Sequence, residues 1–166
     1  MARVRYWAAV GLAGAACLCV SAAQPVAQTK QPAGVTIQGK AATPTPEPVA
    51  ETKLLMNGLA AANLRGLGRT LRDKPTEAEA WAFARGQALL IAESGNLLML
   101  RPPKTNGRDD WLGYSGDLRD AGDKLARAAA AKDYAKARAG LAALANVCNR
   151  CHQTFQVATR VDPFAE

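Results

Sequence analysis

From Met56 to about Arg160 the apolar residues return at three- and four-residue steps, and no alternating stretch of useful length breaks the pattern. That period selects helices. Met56, Leu59, Ala60, Asn63, Leu64, Leu67 and Leu71 trace a first stripe that ends before Pro75. Thr76 is placed to cap a second helix, with Glu77 and Glu79 in its first turn. Its stripe runs through Ala80, Trp81, Ala84, Ala88, Ile91, Gly95 and Leu98, and Pro102-Pro103 closes it. A loop from Lys104 to Arg108 leads to a third helix carrying Trp111, Tyr114, Leu118 and Leu125. The fourth starts near Asp133 and passes through Tyr134, Ala137, Leu141, Leu144, Cys148 and Phe155 to the neighbourhood of Arg160. Four helices of about 20 residues with short connections predict an all-α fold, an antiparallel up-down-up-down four-helix bundle. Gly58, Ala62 and Gly95 lie on the inner faces, where small residues permit close approach. Aromatic residues make up only 5% of the chain, which argues against an aromatic-rich β-sandwich.

The segment before the helices divides in two. Arg3 and Arg5 precede an apolar run from Ala8 to Val20, and Ser21-Ala22-Ala23 supplies small residues for cleavage, so residues 1–23 read as a secretory signal peptide. The run falls short of the roughly 20 apolar residues that span a bilayer. An uncleaved anchor and acylation at Cys17 are the competing readings, the latter weakened by the lack of a large aliphatic three residues before it. Residues 24–50 hold five of the nine prolines, with Gln, Thr and Ala between them, and read as a flexible leader. Residues 51–166 remain as the four-helix domain. Export of bacterial type implies a periplasmic, oxidising compartment. Loss of Arg3 and Arg5 leaves 19 basic against 14 acidic residues, a net +5 in place of +7. No Lys/Arg block is dense enough to imply nucleic acid.

The chain has four cysteines and one histidine. Cys17 and Cys19 fall within the signal segment. The other two stand in Cys148-Asn149-Arg150-Cys151-His152, the C-x-x-C-H attachment sequence of c-type haem. On a helix these positions are i, i+3 and i+4, so both thiols and the imidazole project from one face. The thiols can form thioethers with the two haem vinyl groups while His152 supplies the proximal iron ligand. A thioredoxin-type dithiol would need a preceding strand, and none is visible. A disulfide between residues three apart closes too small a loop to stabilise much. Zinc would lack a fourth ligand, because the mature chain has no further Cys or His. One motif implies one covalent haem c.

With these residues identified, the chain resembles the class II cytochromes c, the cytochrome c′ family, over residues 51–160. The likeness rests on haem attachment near the C-terminus, on Phe155 three residues after His152, and on the stretch from Asp110-Trp111 to Leu125-Ala126 before the last helix. The family commonly places a basic residue four positions after the histidine, where this chain has Gln156. The resemblance implies a haem protein of a four-helix bundle, with a distal methionine near the start of helix 1 in the low-spin branch. Lys53-Leu54-Leu55-Met56 falls in that place.

The distal side decides the function. His152 is expected about eight residues, or ~12 Å, from the end of helix 4, and Met56 roughly 8 Å from the start of helix 1. Met56 is therefore the expected sixth ligand. Met99, near the rim of helix 2, and a vacant position are the alternatives. His/Met ligation suits an electron carrier, not an enzyme: no catalytic constellation is evident. An open position would instead make a module for nitric oxide or carbon monoxide. Arg65, Arg69 and Arg72 read as a solvated face. Arg101, Lys104 and Arg108 at the expected haem end could guide an acidic redox partner. Trp111 and Tyr114 are placed to pack at the haem edge or donate to a propionate, with ordinary bundle packing equally open. A homodimer remains open as well.

Overall fold

The computed structural model describes residues 43–165, so the signal segment, Cys17, Cys19 and most of the leader lie outside the described residues. Residues 43–51 are non-helical, and residues 43–50 are exposed throughout. Four helices follow, with no strand among the described residues. The first, α1, is continuous through three segments: α-helical Thr52–Leu55, π-helical Met56–Ala61 and α-helical Ala62–Thr70. Helix α2 is Ala78–Met99, α3 is Arg108–Ala130 and α4 is Tyr134–Thr154. Consecutive helices pack against one another, consistent with a bundle, whereas α1 and α4 are not among the closely packed pairs.

The helix ends show which local signals operate. Asp133 caps α4 by accepting from the Lys136 amide at 3.0 Å, where the sequence pattern starts the helix. Its carboxyl lies below the ordinary carboxylate range, chiefly because the Lys136 side chain hydrogen-bonds to it. Thr76 does not cap α2. Glu77 takes the N-cap position instead, because the Trp81 indole donates to Pro75 O at 3.0 Å and folds the preceding segment against the helix. Helix α4 stops at Thr154, well short of Arg160. There Gln156 adopts φ 56°, with its amide bonded to Gln153 O and the Val157 amide to His152 O, a Schellman ending on a non-glycine residue. Lys132, at φ 53°, ends α3 in the same way.

Packing divides the bundle lengthwise. Around the α1–α2 and α3–α4 turns the core is closed: Leu67, Leu71, Leu125, Ala137 and Leu141 are wholly buried. Tyr134 Oη donates to Arg72 O at 2.9 Å, and the Arg138 guanidinium donates to the same oxygen at 2.7 Å and to Leu71 O at 3.2 Å. These bonds satisfy carbonyls left free at the end of α1 and tie it to α4. Between α2 and α3 the backbones come close. A Cβ on Gly122 would lie 2.8 Å from Ala92 N, and one on Gly95 2.6 Å from Ser115 O. Gly95 thus serves close approach as expected. Gly58 does not, since a Cβ there would have nothing within 4 Å.

Candidate functional site

Beyond the closed half, α1 and α4 diverge around a cavity of about 690 Å³, within the ~300–1,000 Å³ of small-molecule and cofactor sites. Met56 of α1 and Cys148, Cys151 and His152 of α4 all line it. Most of the remaining wall is apolar, with Ile91, Leu98, Leu118, Leu144 and Val147 prominent. Met99 does not line the cavity; its Cε lies 3.9 Å from where a Cβ on Gly116 would be.

The wall supplied by α1 consists of four neighbouring pairs: Thr52 and Lys53, Met56 and Asn57, Ala60 and Ala61, Leu64 and Arg65. Positions four apart on an α-helix drift by roughly 40° per step, so three such steps would turn the last pair well away from the first. The wider π turn over Met56–Ala61 takes back most of that drift and keeps all four pairs on one side. Its irregular backbone is supported by the Asn63 amide, which donates to Leu59 O at 2.7 Å.

His152 lies in the last turn of α4, two residues before the helix ends. The expected depth of eight residues was set by the overestimate of helix length. Its Nδ1–H donates to Thr159 O at 2.7 Å, since a carbonyl can only accept. That bond leaves the Nε2 lone pair available for a ligand, the arrangement of a metal-binding imidazole oriented by a backbone carbonyl. Cys148 is buried and Cys151 half-buried, and both are free thiols. Burial pushes the Cys148 thiol up to about 11, with the neighbouring Cys151 adding to the shift, and burial raises Cys151 as well. An exchange-active dithiol has a lowered pKa and often starts a helix, whereas this pair ends one. Two neutral, sheltered thiols therefore stand at the cavity wall.

Three aromatic residues close one side. Phe155 meets Trp111 edge-on at 5.2 Å between ring centroids and Tyr114 at 6.5 Å. Gly107, the N-cap of α3, has φ 91°, and a Cβ there would come within 3.1 Å of the Phe155 ring. The left-handed conformation is what favours glycine there. Trp111 Nε1 donates to Leu98 O at 2.7 Å, so its N–H is engaged in the bundle and does not await a propionate. Tyr114 Oη shares a hydrogen bond of 2.9 Å with Thr154 Oγ1. Arg101, expected to face a partner, is tied to Ala50 O at 3.1 Å and Leu97 O at 2.6 Å. Arg65, read as solvated, lines the cavity while remaining exposed.

No sequence motif marks the remaining wall. After Gln156 the chain turns back, and Val157, Thr159, Arg160, Val161 and Asp162 line the cavity. Asn149 holds this segment through both backbone groups of one residue: its Nδ2 donates to Val161 O and its Oδ1 accepts from Val161 N, each at 2.8 Å. Farther on, the Arg138 guanidinium lies 4.3 Å over the Phe164 ring.

A scan of protein-family models and searches of curated proteins and solved structures found no match to this chain. Among the described residues, no helix is long and apolar enough to cross a membrane, and no group of three or more His, Cys, Asp or Glu side chains could hold a bare metal ion.

Proposed function

We propose that the protein is an exported, periplasmic monohaem cytochrome of c type that carries single electrons between redox proteins. One observation carries this reading: a single apolar cavity gathers Cys148, Cys151 and His152 from α4 and Met56 from α1. The residues fit the group. Cavity size, two sheltered thiols, and an imidazole with Nδ1 engaged and Nε2 free all match what haem c requires. The contacts also support an up-down-up-down order. Gly95 faces Ser115 and Arg119 while the later Gly122 faces the earlier Ala88 and Ala92, so α2 and α3 run in opposite senses. Tyr134 against Arg72, with Cys148 sharing a cavity with Met56, implies the same of α1 and α4.

In this reading the Cys148 and Cys151 thiols would hold the haem through two thioethers, a redox-neutral addition of S–H across each vinyl group that needs no external oxidant. The His152 Nε2 and the Met56 thioether would hold its iron. Haem supplies the one-electron couple at its iron. The surrounding Leu, Ile and Val side chains exclude water and favour the less charged reduced state, as does a thioether ligand.

Acid–acetone extraction of the purified protein tests the tether: haem retained in the protein fraction supports it, and complete release overturns it. The optical spectrum of the oxidised protein tests the ligand set. A methionine-to-iron charge-transfer band, abolished by Met56→Ala with conversion to high-spin iron, is the expected result. High-spin wild-type protein whose reduced form takes up carbon monoxide rapidly would move the function to gas binding.

A further inference from the structure

We propose that the C-terminal segment from Gln156 to Ala165 is a positioning strap for the His152 imidazole, and that Asn149 is its latch; the role at iron rests on the haem reading. The carbonyl of Thr159 receives the His152 Nδ1–H at 2.7 Å, and Thr159 belongs to a segment without regular secondary structure. A carbonyl on such a segment can orient a ring only if the segment is itself fixed. Three contacts fix it. The turn at Gln156 closes through the Val157 amide to His152 O at 2.8 Å. Asn149, between the two cysteines of the motif, makes its paired 2.8 Å bonds to Val161, two residues beyond the acceptor. At the far end Pro163 sits against α1 so closely that a Cβ on Gly68 would overlap the Pro163 carbonyl, and Phe164 packs on the core beneath Arg138.

The strap therefore bridges α4 and α1 where those helices do not pack closely. Asn149 acts on the imidazole through the strap and is not itself a ligand. Holding the proton on Nδ1 keeps Nε2 a lone-pair donor toward the cavity, and the bond to a carbonyl makes the ring a stronger donor. Within the proposed cytochrome, a stronger donor favours the oxidised iron, so a loosened strap raises the reduction potential.

The first readout needs no haem. Nitrogen-15 NMR of the chain made without haem, in its neutral imidazole form, is expected to show His152 as the Nδ1–H tautomer. Asn149→Ala, and Gly68→Ala from the opposite side of the cavity, are expected to abolish that preference. Asn149→Asp, which keeps the acceptor for Val161 N–H and loses the donor, is expected to retain part of it. A wild-type Nε2–H tautomer, or variants that keep the Nδ1–H form, would overturn the strap. In the haem-bearing chain both alanine variants are expected to raise the potential, while Leu141→Ala, which loosens the closed core, leaves it in place. Equal shifts from all three variants would reduce Asn149 to a structural role. A chain that carries no covalent haem overturns the cytochrome reading alone, because the tautomer still decides the strap.

Discussion

The two halves of the bundle are made from the same helices and solve opposite problems. Around Leu71, Leu125 and Leu141 side chains fill the interior, and Tyr134 and Arg138 tie the ends of α1 and α4 together. One or two turns farther along α4 the leucines give way to Cys148, Cys151 and His152, and the interior becomes a cavity. In the open half, contacts that leucines would have made are replaced by a π turn, an aromatic cluster and a strap. Each positions a group instead of filling space.

That contrast can be broken by experiment. Leu141→Ala is expected to cost about 2–5 kcal/mol in urea unfolding. Leu144→Ala, equally buried yet bordering the cavity, should cost less in the haem-free chain, because fewer packed neighbours are lost. Equal costs would mean that the open half is as tightly filled as the closed one. Gly122→Ala should destabilise by about 1–3 kcal/mol, since its Cβ meets the backbone of α2 and not a movable side chain. Tyr134→Phe removes one donor to the Arg72 carbonyl, which Arg138 also serves, and should cost about 0.5–1.5 kcal/mol.

The smallest effect concerns Asp133 in the turn before α4. Its folded pKa is lowered by Lys136, so its contribution is present above the ordinary carboxylate range and is lost as pH falls through the folded value. Acid titration of Asp133→Ala by circular dichroism should therefore show a slightly smaller loss of stability between neutral and low pH than wild type. Both residues are exposed or nearly so, and salt should weaken the difference.

Helix number and type were legible because stripes such as Leu64–Leu67–Leu71 repeat without interruption. That Cys148, Cys151 and His152 share one wall was legible because positions i, i+3 and i+4 of a helix lie on one face. Met56 could be nominated only by analogy and by the scarcity of other ligands; its place on the cavity depends on a π turn that has no residue signature. The end of α4 was misjudged for a related reason. The usual marks of a helix end are glycine or proline, and here Gln156 takes the left-handed conformation, at a cost that contacts such as Asn149–Val161 offset. Those contacts join the Asn149 side chain to the backbone of a residue twelve positions on, whose identity the bonds do not depend on, so the sequence pattern carries no trace of them.

The two tryptophans among the described residues fall one in each half. Trp81 is buried beside the α1–α2 turn, and Trp111 lines the cavity against Phe155. Each half therefore carries its own emitter: with Trp81→Phe or Trp111→Phe the remaining indole reports on the cavity side or on the closed core, with no label attached.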